Sequence, residues 1–121
     1  MYKQTKWKNI NKKNKYHSNK CIYNKNIYHS RFEAKYAQEL DLRLKAKDIA
    51  GWERQIKIPL EVNGYLICNY YIDFVIYHND EIIEYVECKG FSTDLWKIKW
   101  KLFEALYGDK EGIKLTVIYL K

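Results

Sequence analysis

An acid and a base stand together at the end of an apolar segment, in the tripeptide Glu87-Cys88-Lys89. The residues before it, 82–86, are mostly β-branched or aromatic and predict a strand, in which alternate side chains share a face. Glu87 and Lys89 are therefore expected to point to one side of a sheet and Cys88 to the other. An acid and a lysine placed in this way can orient a water molecule or stabilise negative charge that develops in a reaction.

A second acid, Asp73, interrupts residues 70–76, which are otherwise apolar on both faces of a predicted strand. Aspartate is disfavoured inside strands, where it can bond a neighbouring backbone group or mark a bulge. If this strand lies beside the one that ends at Lys89, Asp73 and Glu87 approach each other, and two carboxylates repel unless a cation lies between them. Oxygen ligands favour Mg²⁺ or Mn²⁺, so the two acids predict a hydrolytic site assisted by a divalent metal.

The first predicted helix, residues 31–47, carries the acid Glu33 on its apolar face. A carboxylate on that face is unfavourable unless it is paired or bound to a metal. The alternative is structural, because Ser30 and Glu33 have the spacing of a capping box. Both roles are compatible, since a cap can orient the side chain. The apolar face also contains Tyr36, Ala37, Leu40 and Leu44.

The second predicted helix begins after Ser92 or Thr93, ends near Tyr107, and places Lys99 between two apolar stripes. A lysine there can extend its ammonium group to solvent. Alternatively, Lys99 reaches an anionic site at the edge of the sheet. The two stripes are Leu95, Ile98, Leu102 and Leu106, and Trp96, Trp100, Phe103 and Tyr107.

The elements that position these residues follow the order α-β-β-β-α-β. Asn63-Gly64 and Asn79-Asp80 are turn signals, so the first three strands are expected to pair as an antiparallel meander. The second helix then forms the crossover to a parallel fourth strand. This order predicts an α/β fold with a mixed central sheet flanked by helices. The predicted strands are 52–60, 65–77, 81–89 and 113–120, and residues 22–28 predict a small hairpin before the first helix.

The net charge of +7 is concentrated near the N-terminus, because residues 1–32 contain nine basic residues and no acid. Residues 1–20 are polar without periodicity and predict a flexible basic arm, followed by a single domain over residues 21–121. The lysines of the arm, Lys12, Lys13 and Lys15 among them, alternate with aromatic residues and suit contacts with nucleic-acid phosphates and bases. The alternative is a solvated tail.

Several classes of protein are disfavoured by composition. No apolar stretch approaches the roughly 18 residues of a membrane span, so no membrane association is expected. The three cysteines are widely spaced and odd in number, which predicts neither a zinc site nor a disulfide framework. A reducing cytoplasmic compartment is the simplest expectation.

The ordered set of an acid on the second strand, Glu-x-Lys at the end of the third, and a glutamate on the preceding helix resembles the PD-(D/E)XK nuclease superfamily. The chain is similar in particular to a family of small phage-encoded proteins within it, over about residues 22–118. Three departures are Ile72, where the superfamily name has proline, Ile56, where the phage proteins favour proline, and Asn24-Lys25-Asn26, which replaces their usual glycine-containing turn. The matching segments are Ser30-Arg31-Phe32-Glu33, Gln55, Tyr70-Tyr71-Ile72-Asp73-Phe74, Lys89-Gly90, Thr93 and Lys99-Trp100-Lys101-Leu102-Phe103.

The resemblance implies a restriction-endonuclease-like core and a metal-dependent, phage-type DNA endonuclease that hydrolyses phosphodiester bonds. Branched, Holliday-junction-like DNA in replication or recombination is the implied substrate, with a homodimer working in the host cytoplasm. The implied catalytic residues are Glu33, Asp73, Glu87 and Lys89. The implied ligands of Mg²⁺ or Mn²⁺ are Asp73, Glu87, the backbone carbonyl of Cys88, and Glu33. The implied DNA contacts in the domain are Gln55, Thr93, Lys99 and Lys101.

Two other functions are compatible with the same fold. A non-catalytic nucleic-acid-binding module would be favoured by a disrupted set of acids, whereas Glu33, Asp73 and Glu87 are all present here. A structural dimerisation module would leave both Asp73 and the basic arm unexplained.

Overall fold

The computed structural model describes residues 21–24, 26–28 and 30–119, and the predicted basic arm with Lys12, Lys13 and Lys15 lies outside them. After the predicted hairpin, the elements follow the predicted order. None of the helices in the described ranges is long and apolar enough to cross a membrane. The elements are β1 (Cys21–Tyr23), β2 (Asn26–Tyr28), α1 (Arg31–Lys45), β3 (Gly51–Val62), β4 (Tyr65–Tyr77), β5 (Ile83–Lys89), α2 (Asp94–Tyr107) and β6 (Ile113–Tyr119).

The main sheet has four strands in the order β3-β4-β5-β6. The first three pair antiparallel, and β6 lies parallel to β5 after the crossover through α2, which confirms the predicted mixed α/β sheet. The two central strands are therefore β4 and β5, which carry Asp73 and Glu87. A separate two-stranded sheet is formed by β1 and β2.

Local sequence signals account for most of the boundaries. Asn63 and Gly64 adopt φ of 52° and 83°, the pair of positive values that a tight hairpin between twisted strands requires. The hydroxyl of Thr93, rather than that of Ser92, accepts the capping hydrogen bond from the amide of Trp96 at 3.1 Å. Positive φ at Glu81 keeps that residue in the turn, so β5 begins later than predicted.

The sheet is covered on both faces. One face packs against α1 and the small hairpin, through residues that include Tyr28, Ala37, Leu40, Phe74 and Val86. The other packs against α2, through residues that include Ile58, Leu60, Tyr70, Trp100 and Phe103.

The two stripes on α2 are buried to different extents, and of the leucine stripe only Leu102 and Leu106 pack against the core. Trp96, Trp100 and Phe103 are buried, whereas Leu95 and Ile98 are 63% and 67% exposed. The two predicted stripes thus differ at the start of the helix, where the larger aromatic side chains cover the sheet.

Candidate active site

The core-facing side chains of β3 change face halfway along the strand. Trp52 packs on the α1 side, as does Arg54, whose guanidinium carbon lies 4.1 Å from the ring centre of Tyr28. Ile56 continues the same alternation but packs on the α2 side. Between them, Gln55 has φ of 51°, a value that is uncommon for any residue with a side chain. This left-handed residue reverses the faces of the strand.

The side chains of the partner strand β4 change face at the same position. Ile72 packs on the α2 side and Phe74 on the α1 side, although they are two residues apart. Asp73 lies at the reversal, opposite Gln55, whose side-chain nitrogen donates to Asp73 Oδ1 at 3.3 Å. An aspartate in a central strand is thus explained by an irregularity of both strands rather than by regular pairing.

Asp73 also marks the point at which the two central strands separate. The pairing of β4 with β5 runs from Tyr77 opposite Ile83 to Phe74 opposite Val86 and then ends. Beyond it, the amide of Cys88 donates to Asp73 Oδ2 at 2.9 Å. A side-chain oxygen thus takes the place of a backbone acceptor. The two strands separate at this point, and the gap between Asp73 on β4 and Cys88 on β5 is called the fork.

Glu33 brings a third acid to this fork from α1. Its amide donates to the hydroxyl of Ser30 at 3.2 Å, which is the helix-capping bond that the spacing predicts. Its carboxylate is buried, and Oε1 has no hydrogen-bond partner within the described ranges. Ser30 is therefore the N-cap of α1, and the Glu33 carboxylate lines the cleft.

Glu87 is held by side chains on the α2 side of the sheet. The hydroxyl of Tyr70 donates to Glu87 Oε1 at 2.9 Å and accepts from Trp96 Nε1 at 3.0 Å. The Lys89 ammonium lies 3.7 Å from Glu87 Oε2 and 4.7 Å from the ring centre of Trp96. Glu87 and Lys89 therefore share a face, as predicted, and the Trp96 ring stabilises the lysine by a cation–π contact.

Cys88 points the other way, into the core beside α1, which also matches the prediction. Burial raises the pKa of its thiol, so the sulfur remains protonated and is a poor metal ligand or nucleophile. Its carbonyl lies on the same side of β5 as its amide, because a strand residue presents both groups to one neighbour. That carbonyl therefore faces the fork.

The three acids of the fork hold protons more tightly than isolated carboxylates. Burial, together with the charges of Asp73 and Glu87, raises the pKa of Glu33 to about 8. Burial and the charge of Asp73 raise the pKa of Glu87 to about 7. Burial raises the pKa of Asp73 to about 6, although the amide of Cys88 opposes the shift. The ionised forms of these three carboxylates are thus not fully stabilised by the positive charges and hydrogen-bond donors around them.

A cleft of about 360 Å³ contains this group. Gln55, Thr93 and Lys99 line it together with the acids and Lys89. Lys101 does not reach it, because it is exposed on the outer surface of α2 beside Lys97 and Ile98.

The cleft is not a complete side-chain cage for a metal. Within residues 21–24, 26–28 and 30–119, no three histidine, cysteine, aspartate or glutamate side chains are arranged to hold a metal ion. A cation in this cleft would therefore require backbone, water or substrate oxygens in addition to the acids.

Two residues of the site were not predicted from the sequence. Tyr70 belongs to a recognised motif, but its role as a donor to Glu87 depends on the face reversal, which no sequence pattern indicated. Trp96 was assigned to packing alone, because nothing in a helical stripe distinguishes an indole that also donates a hydrogen bond.

Comparisons with known proteins place the chain in one family. No curated protein and no solved structure matches it significantly. A family model matches residues 13–119, a range that includes every element of the fold, and the chain therefore belongs to the family described as protein of unknown function (DUF1064).

Proposed function

We propose that this protein is a divalent-metal-dependent DNA endonuclease that hydrolyses phosphodiester bonds in the cleft between β4 and β5. The observation that carries the proposal is the meeting of Glu33, Asp73 and Glu87 with Lys89 at one fork. Buried carboxylates that raise one another's pKa are unfavourable as a purely structural arrangement. They become favourable when the site binds a cation.

The donor set fits a hard divalent cation. Asp73, Glu87 and the Cys88 carbonyl would supply oxygen ligands, and the unpartnered Oε1 of Glu33 would accept from a water or reach a second ion. Mg²⁺ usually keeps several waters and is held by one or two carboxylates and by substrate phosphates, so a complete protein cage is not required. Mn²⁺ suits the same ligands.

The residues of the chain would divide the chemistry as follows. A bound cation would act as a Lewis acid toward the scissile phosphate. Lys89, held between Glu87 and Trp96, would orient the attacking water or stabilise charge on the phosphate oxygens. Lys99, on the wall of the cleft, would bind a neighbouring phosphate.

The order of elements, with its acids at the fork, is what supports a restriction-endonuclease-like core. A homodimer would present two clefts to the two strands of a DNA substrate, and branched DNA in a phage-type process is our proposed target. The free thiols of Cys68 and Cys88 suit a reducing cytoplasm.

The test is a cleavage panel on a four-way junction, a flap, a single strand and a duplex, each with Mg²⁺, Mn²⁺ or EDTA. We expect cleavage with either metal, none in EDTA, and none with Asp73→Asn, which keeps the size of the side chain and removes its charge. Undiminished cleavage in EDTA or by the Asp73→Asn variant would contradict the proposal. Metal-dependent binding without cleavage of any substrate would favour the non-catalytic binding module.

A further inference from the structure

The β3–β4 hairpin extends beyond the fork with one face open. On its inner face, Ile58, Leu60, Tyr70 and Ile72 pack against α2. Strand alternation places the intervening residues on the opposite face. There, Lys57 pairs across the strands with Tyr71, and Pro59 pairs with Asn69. Lys57, Pro59 and Tyr71 are exposed in the described part of the chain.

Tyr71 connects this open face to the acid cleft. It is 55% exposed and yet lines the cleft together with Asp73 and Asn69. It lies two residues before Asp73 on the same strand, a distance of roughly 7 Å. Tyr71 and its cross-strand partner Lys57 are therefore close enough to the fork to meet the nucleotide next to a phosphate bound there.

We infer that this face binds an unpaired DNA base adjacent to the cut phosphate, an inference that rests on the proposed endonuclease function. Tyr71 would stack on the base, and Lys57 would bind the next phosphate. A base inside a duplex presents only its edges in the grooves, whereas an unpaired base offers its face to an aromatic side chain. The preferred substrates are thus DNAs with an unpaired or displaced nucleotide, such as flaps, bulges and branch points.

The position of the ring supports a role in binding rather than in packing. Tyr71 is next to Tyr70, whose ring is buried against Trp100 and Phe103 and whose hydroxyl holds Glu87. The strand thus directs one tyrosine to the catalytic glutamate and the next to solvent at the mouth of the same cleft. Tyr65, which is 74% exposed on the same strand but at the hairpin turn, provides a matched control.

The experiment measures DNA binding by the full chain with Ca²⁺ in place of Mg²⁺. Two DNA duplexes are compared: in the bulged duplex one 2-aminopurine is unpaired, and in the paired duplex the same 2-aminopurine has a complementary base. We expect wild type to bind the bulged duplex more tightly than the paired one and to quench the fluorescence of the unpaired 2-aminopurine. Tyr71→Ala should lose roughly tenfold in affinity for the bulged duplex, together with the quenching. Tyr71→Phe should keep both, and so should Tyr65→Ala.

A second variant tests the phosphate contact. Lys57→Gln should weaken binding and reduce the salt dependence of log Kd by about one counterion. Equal binding of both duplexes by wild type, binding of neither, or wild-type quenching by Tyr71→Ala would overturn the inference.

The assay separates this inference from the proposed function because it measures binding and not cleavage. Quenching that depends on Tyr71 in a protein that never cleaves DNA would support the base-binding site and contradict the proposed endonuclease function. Metal-dependent cleavage without such quenching would retain the nuclease and reject the base site.

Discussion

Strand β5 carries two buried glutamates in very different surroundings, Glu84 and Glu87. Glu84 lies on the α1 side, with Oε1 2.7 Å from His78 Nε2 and Oε2 accepting from the Thr116 hydroxyl at 2.6 Å. Burial alone would raise the pKa of Glu84, but the hydrogen bonds from Thr116 and His78 outweigh it, so the pKa lies below its ordinary value of 4.5. Glu84 is a satisfied structural acid.

Glu87, three residues further along, has the opposite balance. Tyr70 and Lys89 favour its charged form, but burial and the charge of Asp73 outweigh them and raise its pKa to about 7. Burial is common to both glutamates, so burial by itself does not mark a functional site. The mark is a group of carboxylates that the folded protein fails to compensate, which leaves room for a cation to do so.

The largest expected effect on cleavage comes from removing the negative charge of one glutamate and comparing it with removal of the other. Glu87→Gln should reduce metal-dependent cleavage on the order of 10² to 10³-fold, because it removes one of the charges that would hold the cation and stabilise the transition state. Glu84→Gln should leave the cleavage rate close to that of wild type. Initial rates on the best substrate of the panel measure both.

The stability of the same two variants should show the reverse order. Glu84→Gln should lower the free energy of unfolding by about 1–3 kcal/mol, because a charge-assisted network of hydrogen bonds is weakened. Glu87→Gln should leave it unchanged or raise it, since apposed carboxylates repel. If Glu84→Gln lost activity without losing stability, the contrast between a structural and a functional acid would fail.

The second expected effect is on the pH dependence of stability in metal-free protein. The raised pKa values of Glu33, Asp73 and Glu87 mean that the folded state binds protons more tightly than the unfolded state, so their stabilisation is complete at low pH. It is lost as the pH rises from the ordinary values of 3.8 for Asp73 and 4.5 for the glutamates through the folded-state values of about 6 to about 8. Denaturant unfolding in EDTA should show a decrease of a few kcal/mol over this range.

Two controls distinguish the contribution of Glu84 to the pH dependence of stability from that of the three acids at the fork. Glu84 has a lowered pKa, so its stabilisation is present above pH 4.5 and is lost as the pH falls below that value, which Glu84→Gln should abolish. Mg²⁺ added at pH 8 should restore stability to wild type, because the proposed site exists only in the folded state, and should not do so for Asp73→Asn. A stability that rises steadily between about pH 4.5 and 8 in EDTA would contradict the assignment of uncompensated acids.

Much of the scaffold could be predicted because its signals are local. Periodicity, the caps at Ser30 and Thr93, and the Asn63-Gly64 turn fixed the order of the elements and the bounds of β4. The presence of Asp73 and Glu87 on neighbouring central strands followed from that order. The orientation of Glu87, Cys88 and Lys89 followed from strand alternation alone.

The supporting residues could not be predicted, for a physical reason. In a regular strand, side chains two residues apart point to the same face of the sheet. The left-handed conformation of Gln55 breaks that rule in the middle of β3. Tyr70 thereby comes to the α2 side beside Glu87, while Phe74 packs on the α1 side. A positive φ at a glutamine leaves no trace in composition or periodicity, and neither does the hydrogen bond that this residue donates to Asp73.

The smallest expected effect concerns the tyrosine that holds Glu87. Among the residues that the structure describes, Tyr70 donates to Glu87 and Tyr77 donates to Glu53 in hydrogen bonds of the same length, 2.9 Å. Tyr70→Phe should reduce cleavage about tenfold, the size of effect typical for a residue that orients a metal ligand. Tyr77→Phe removes an equivalent bond away from the cleft and should leave cleavage unchanged.

The pH profile distinguishes positioning from mere packing in this pair. The hydrogen bond from Tyr70 lowers the pKa of Glu87, so its loss should raise that pKa further and move the acidic limb of the cleavage profile to higher pH. Tyr77→Phe should leave the profile in place. Tyr70→Phe also leaves Trp96 Nε1 without its acceptor, so thermal unfolding must be measured beside the rates. A tenfold loss with an unmoved pH profile would show that Tyr70 supports the fold of the cleft and does not tune Glu87.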